Sequence, residues 1–430
     1  MNYQIYEIDK NKPSHMIFKT KYKEANNLNE PILELYKGKL FSYLIKVFTN
    51  DCVETFGHHI FSIKKSYSRT ITNLLSSWIF SLYIDYDFSS DYFFPTNYHK
   101  TKPLEDILRD LCKYDPKIVN IDEKINNVIS NLKNNYKVQL ELLESYKTSK
   151  IYIKNKTNYR IKKTIFNIKN KNSDIEITFY KFDIIIQFDI KNKRLQNILN
   201  NILIPTKIFD KMNSVYVGPK NKFDEIIWSI VYRYQLLGSN NHQLAVLPNI
   251  MTKMFYDYNL NFECFASAIN NTFPRFCSIY WDLERYFGSV GSFFNIIPIK
   301  GTFIFNPPYQ KDIIEIGIHN LFKFLDKTNE QLTFIITIPI WDLHGKSVMK
   351  EIYNNELEKQ NIDYGDFLIM KEIKESKYFK KIRMLPKEKF TYVDHNFELY
   401  KNKTIQNTYV IILSNSNIEF EKLEDYNFEY

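Results

Sequence analysis

Cysteine is scarce in this 430-residue chain, and Cys52, Cys112, Cys264 and Cys277 include no CxxC pair. That excludes a zinc ribbon and the disulfide framework of a small secreted domain, and it fits a reducing compartment. Apolar runs are short: stretches such as Thr333–Trp341 fall well below the roughly 20 residues that cross a bilayer. The first residues, MNYQIYEIDK, are polar and lack the apolar core of a signal segment. A soluble intracellular protein without a membrane partner is expected. No internal period appears, which excludes repeat architectures. His58 and His59 are adjacent and would leave a helix on different faces, so they suggest no shared metal, and no metal site is expected. Glycine numbers only 10, yet Gly288, Gly291 and Gly301 fall in one short stretch. A cluster on so sparse a background marks a local backbone requirement.

What is present is a large apolar and aromatic fraction, 44% and 16%, enough for a substantial core in two or three domains. The net charge of +9 favours an anionic partner, nucleic acid first. The wealth of Asn, Ile, Lys, Tyr and Phe also matches A/T-rich codons, as in a large DNA virus, and this lowers the weight of any single lysine. Apolar residues recur at helical spacing from Pro31 to Tyr83 and from Leu104 to Tyr146. From Ile151 to Ile190, β-branched and aromatic residues alternate with polar ones as in strands. After Phe223, DEIIWSIVYRYQLLG and QLAVLPNIMTKMFYDY read as helices. FECFAS, GTFIFNPPY, a helix over Lys311–Leu325, TFIITIPIW and NTYVIILS then alternate as in an open α/β sheet. The expected division is a helical region 1–150, a basic β-rich segment 151–222, an α/β domain 223–417 and an acidic, solvated tail 418–430.

The most informative residues are Asn306, Pro307, Pro308 and Tyr309, directly after the apolar run Thr302–Phe305. The prolines stiffen the turn and remove backbone donors, so its carbonyls face outward as acceptors. The Asn306 side-chain oxygen and the Pro307 carbonyl can both accept from one exocyclic amine. Two acceptors draw a nucleobase amine towards tetrahedral geometry and stabilise the charge that develops during attack. Tyr309 would stack on the base. With a donor that is already activated, such as S-adenosylmethionine, no metal is needed. A strand-ending turn whose tyrosine caps a core is the alternative reading. Upstream, Glu263, Phe265, Ala266 and Ser267 form a strand end in an acid followed by small residues, where an open α/β sheet seats a nucleotide-like cofactor. Asp282 or Glu284 could hold ribose hydroxyls. Phe287 could flank the adenine, with Gly288, Ser289 and Gly291 completing the loop; a surface loop is the alternative.

The stretch from about Asp224 to Asn417 resembles the phosphorylated C-terminal-domain-interacting factor family of cap-specific adenosine N6-methyltransferases. SIVYRYQLLG, NFECFASAINNTFPRFCSIYWD, RYFGSVGSFF, GTFIFNPPYQ, FIITIPIW and QNTYVIIL carry the resemblance, in that order. It implies a Rossmann-like class I methyltransferase domain and S-adenosyl-L-methionine as cofactor. The implied substrate is capped mRNA, methylated at N6 of the cap-adjacent 2′-O-methyladenosine. The family motif ends in Phe where this chain has Tyr309. No WW-like module with paired tryptophans is seen at the N-terminus, so the resemblance does not bring polymerase-tail binding with it.

The segment Lys147–Lys171 holds basic residues without an acid, interleaved with Tyr152, Tyr159 and Phe166. Lys154, Lys156, Arg160, Lys162 and Lys163 are expected on an RNA backbone, with a solvated hairpin as the alternative. Arg233 and Tyr234 are placed at the cofactor or cap pocket or in helix packing, and Arg233 is counted with the RNA contacts. A DNA adenine methyltransferase of the Asn-Pro-Pro-Tyr type and an inactive RNA-binding relative of the fold are the rival functions.

Overall fold

A computed structural model describes residues 3–8, 16–21, 30–61, 67–85, 91–112, 117–150, 152, 159–171, 178–190, 201–237, 243–340, 369–394, 401–403, 407–417 and 420–428. The chain opens with an antiparallel hairpin, β1 (Tyr3–Ile8) and β2 (Met16–Lys21). Helices α1 (Pro31–Phe56), α2 (Tyr67–Leu82), α3 (Lys102–Cys112) and α4 (Ile121–Lys147) follow. Pro31 opens α1 at its first turn, where a missing N–H costs nothing. Gly57 closes α1 at φ 86°, its N–H donating to the Val53 carbonyl at 2.9 Å. Next come β3 (Tyr159–Lys171), β4 (Thr178–Ile190) and β5 (Asn201–Pro205), which form an antiparallel three-stranded sheet. Lys154 and Lys156 lie outside the described residues. Arg160, Lys162 and Lys163 lie on β3, in register with Asp189, Gln187 and Ile186 of β4.

Helices α5 (Thr206–Val215) and α6 (Phe223–Leu236) lead to β6 (Leu244–Val246), α7 (Pro248–Tyr258) and β7 (Leu260–Glu263). The expected helix over QLAVLPNIMTKMFYDY is thus shorter at its start. Leu247, at φ −51° and ψ 130°, is extended because the ring of Pro248 disfavours helical backbone before it. β8 (Ile296–Phe305), α8 (Lys311–Lys327) and β9 (Leu332–Pro339) follow, then α9 (Ile369–Glu375) and β10 (Phe379–Leu385). β11 (Tyr392–Asp394), β12 (Lys401–Lys403) and β13 (Thr408–Ser414) complete the strands.

The central sheet is mixed, in the order β1-β2-β8-β9-β13-β10. β2 runs antiparallel to the first half of β8, and β7 runs parallel to its second half. β8 and β9 are parallel, while β13 is antiparallel to both β9 and β10. Single parallel bridges from Glu263 to Phe276 and from Phe276 to Ser289 widen the sheet beyond β7. The protein is therefore α/β with a mixed sheet. All of β9 is buried, which explains its largely apolar sequence, interrupted only by Thr333 and Thr337. Phe334, Ile336 and Ile338 face one core with α8, and Ile335 faces another with α7. Gly317 lets α8 close on β8: a Cβ there would lie 2.4 Å from the Phe305 ring.

Two expectations change at the ends of the chain. The first residues add strands to the sheet, and Met16 and Phe18 are fully buried, with the Phe18 ring 5.1 Å from that of Phe262. The acidic tail is not merely solvated. Phe420, Leu423, Tyr426 and Phe428 are buried, and Arg383 donates to the Leu423 and Tyr426 carbonyls at 2.9 and 2.7 Å.

Candidate active site

β8 and β7 end side by side, joined by the Cys264 N–H donating to the Ile304 carbonyl at 2.8 Å. Beyond Phe305 the chain turns through Asn306, Pro307, Pro308 and Tyr309 before α8 begins. Beyond Glu263 it turns through Phe265, Ala266 and Ser267. The two turns face one cavity of about 360 Å³, a volume suited to a small organic ligand. Ser77 and Phe80 come from α2 and Tyr234 from α6, while Gln243 and Tyr392 close other sides.

Asn306 is held from the neighbouring strand: Thr337 Oγ1 donates to its Oδ1 at 2.8 Å. That leaves the same oxygen a second lone pair. The Tyr309 hydroxyl is hydrogen-bonded to the Tyr392 hydroxyl, and burial with the Tyr392 partner pushes its pKa well above the usual value. Gln310 Nε2 is buried without a hydrogen-bond partner, and its residue lines the same cavity. Two thiols, Cys264 and Cys277, also reach the wall, but burial holds both well above the ordinary thiol range. Neither is a thiolate nucleophile.

Glu263 lies beside the cavity, in a crevice shared with Asn270 and Asn306. Its Oε2 accepts from the Thr272 and Phe273 N–H groups at 2.8 and 2.9 Å, and burial raises its pKa to about 7. Ser267 uses its hydroxyl inside the turn, donating to Gln243 Oε1 at 2.7 Å and accepting from the Ile269 and Asn270 N–H groups.

The remaining residues expected around the donor stand behind this wall. Asp282 is 5% exposed, and both its oxygens accept from Arg233, at 2.9 and 2.8 Å. Its carboxylate is thereby committed to a buried ion pair. Glu284 supports the cavity loop: Oε1 accepts from the Ala268 N–H at 2.8 Å and Oε2 from the Tyr234 hydroxyl at 3.1 Å. Phe287 is buried against the rings of Tyr216 and Phe223. Ser289 shares a hydrogen bond with Ser278 at 2.7 Å and accepts from the Gly291 N–H at 3.2 Å. Gly288 has φ +106°, and a Cβ there would lie 2.1 Å from the Pro274 carbonyl oxygen. The glycine requirement is met here by packing and backbone conformation.

Arg233 is corrected as an RNA contact. It is fully buried, and its guanidinium forks between Glu34 and Asp282, so no surface remains for a phosphate. Thr337, Tyr392 and Phe80 went unnoticed in the sequence. Thr337 had a signal, being a polar residue inside the apolar strand TFIITIPI, whereas nothing local links Phe80 or Tyr392 to Asn306. Among the described residues, no group of three or more His, Cys, Asp or Glu side chains could hold a metal ion. No described helix is long and apolar enough to cross a membrane.

Residues 206–364 match the family model described as Phosphorylated CTD interacting factor 1 WW domain. The matched stretch runs from α5 through β9 and so contains both turns of the cavity. Two curated relatives carry the name mRNA (2′-O-methyladenosine-N(6)-)-methyltransferase. The one from Mus musculus is 30% identical over 121 residues, which is 27% of this chain and 17% of the relative. The one from Homo sapiens is 29% identical over 121 residues, with the same shares. The chain thus spans 17% of the length of the curated relatives it matches. The resemblance is borne out over residues 206–364, which hold the segments from SIVYRYQLLG to FIITIPIW, while QNTYVIIL lies beyond the matched stretch.

Proposed function

We propose that this chain transfers a methyl group from S-adenosylmethionine to N6 of adenosine in RNA, at the cap-adjacent 2′-O-methyladenosine of capped mRNA. The carrying observation is the Asn306–Tyr309 turn at the end of β8, its amide fixed by Thr337 and open to the cavity it shares with the end of β7. Asn306 Oδ1 and the Pro307 carbonyl accept from the target amine, which favours the geometry and charge of a nitrogen in attack. Thr337 holds the first acceptor in place before substrate arrives. Tyr309 presents an aromatic face to the base, a contact worth about 1–3 kcal/mol.

The residues fit the cofactor by their chemistry. The Phe265–Ser267 turn offers backbone groups and an aromatic ring, Glu263 lies beside it, and Gln310 Nε2 is a buried donor awaiting an acceptor. When bound, S-adenosylmethionine supplies an electrophilic methyl group. Asp282, Phe287, Gly288, Ser289 and Gly291 then act as support behind the donor wall.

The reading extends to architecture. The sheet order and the antiparallel β13 support a Rossmann-like class I methyltransferase domain, to which the hairpin of β1 and β2 adds an edge. We assign 31–150 to a helical region, 151–222 to a basic segment whose Arg160, Lys162 and Lys163 follow an RNA backbone, and 223–428 to catalysis. This last range includes the packed tail. The names of the relatives support capped mRNA as the partner.

The test incubates the protein and labelled donor with matched capped RNA, uncapped RNA and duplex DNA. Label in N6,2′-O-dimethyladenosine from the capped RNA is the expected result. Label in the DNA alone would assign a DNA adenine methyltransferase, and transfer to none of the three would assign a silent binding protein.

A further inference from the structure

The motif aromatic of this chain carries a hydroxyl, and that hydroxyl is engaged. Tyr309 Oη is hydrogen-bonded to Tyr392 Oη, and Tyr392 Oη is in turn 3.2 Å from Thr408 Oγ1. The two tyrosine rings meet edge to face, with centroids 6.3 Å apart at 78°. Tyr392 is 1% exposed. It stands on β11, which pairs with β6, and its ring packs 4.5 Å from that of Phe390. Phe390 stacks on Phe428 at 5.1 Å, and the Thr391 N–H donates to the Phe428 carbonyl at 2.9 Å. Thr408 belongs to β13 and lies opposite Pro339 of β9. A chain of hydroxyls therefore runs from the central sheet to the ring at the mouth of the Asn-Pro-Pro-Tyr turn.

We propose that Tyr392 is a positioning residue, which holds the Tyr309 ring where it can stack on the target base; this rests on the function proposed above. The physical reason lies in the torsions of Tyr309. The hydrogen bond at the far end of the ring resists swinging about χ1, and the perpendicular Tyr392 ring limits rotation about the soft χ2. A base that stacks on a ring already in place keeps its amine at Asn306 and Pro307, whereas a ring free to swing lets the amine leave them. The loss should appear in turnover, because each of the two hydroxyls is already engaged by the other and what the bond sets is the ring that meets the base.

The test is a double-mutant cycle on the full chain, with turnover on capped RNA and donor affinity by calorimetry. Tyr309→Phe and Tyr392→Phe should each lower kcat by about 2- to 12-fold, the range of one net hydrogen bond, with donor affinity unchanged. The double variant should fall no further than the worse single variant, because both remove the same bond. Thr408→Val, at the far end of the chain, should cost less than either and nothing in the Tyr309→Phe background. Thermal melting separates a folding loss from a positioning loss, since the latter leaves the melting temperature of Tyr392→Phe close to wild type. Multiplying losses in the double variant, or a Tyr392→Phe variant with wild-type kcat, would overturn the proposal while leaving the methyltransferase reading intact. A wild-type protein that methylates no adenosine would overturn that reading itself and this inference with it.

Discussion

Glu263 is a carboxyl that folding makes less acidic. Burial raises its pKa from 4.5 to about 7, and two backbone N–H bonds only partly offset this. Between those values the folded protein holds a proton that the unfolded chain has released. Its contribution to stability is therefore full below the unfolded value, falls as pH rises through about 7, and is level above that. Glu263→Gln should flatten this decline, as read by urea unfolding at about pH 5 and about pH 7.5. Some slope should remain, because burial also raises Glu284 to about 7 and Asp312 to about 6. An unchanged slope in the variant would mean that Glu263 is ionised in the folded protein throughout. At this scale the sequence was informative about type more than role. Asn306 and Tyr309 fall where the turn chemistry puts them, and the glycine cluster does mark a backbone requirement, with φ of +106° at Gly288, +97° at Gly291 and +115° at Gly301. What a single sequence hides is whether a buried acid faces a ligand or another residue. Asp282 and Glu263 look alike as letters, yet one is committed to Arg233 and the other lies beside the cavity.

Among the elements, the C-terminal segment carries more structure than its charge suggests. Phe420, Leu423, Tyr426 and Phe428 alternate with acids, so a tally of charge reads the stretch as solvated, but these four form the inner face of a chain laid over α7 and β10. Leu423, fully buried, should cost about 2–5 kcal/mol when replaced by Ala, measured by denaturant unfolding. A loss of a few tenths would mean that the tail is peripheral. The long helices α1, α4 and α8 were legible because each contains enough residues for its period to show, and β9 and the second half of β8 because each is an apolar run. β6 and β11 span three residues each, too few for any period, and their pairing joins segments far apart in sequence. The pairing of β2 with β8 is non-local in the same way.

In the whole molecule, the helical half and the sheet half are joined by a buried charge network. Arg233 on α6 donates to Glu34 of α1 at 2.7 and 2.8 Å and to Asp282 at 2.9 and 2.8 Å. Lys37 of α1 bridges Glu34 at 2.9 Å and Asp91 at 2.8 Å. Burial acts to raise the Asp91 pKa, but the Lys37 and Arg233 charges outweigh it and hold the group at about 2. Arg233→Ala would remove the buried cation shared by Glu34 and Asp282, leaving Lys37 alone to face Glu34, and should destabilise the protein by about 3–5 kcal/mol in denaturant unfolding. A loss below about 1 kcal/mol, typical of exposed pairs, would contradict the network's role. The network fixes α1 and α6 against the loop behind the cavity, and the proposed reaction is assigned to the end of β8. That last assignment is the centre of the account, and turnover of Asn306→Ala on capped RNA, measured alongside donor affinity, tests it most directly. Loss of a preorganised acceptor should lower kcat by roughly 10²-fold or more and leave donor affinity within about a factor of two; a folded variant with near-wild-type turnover would contradict it.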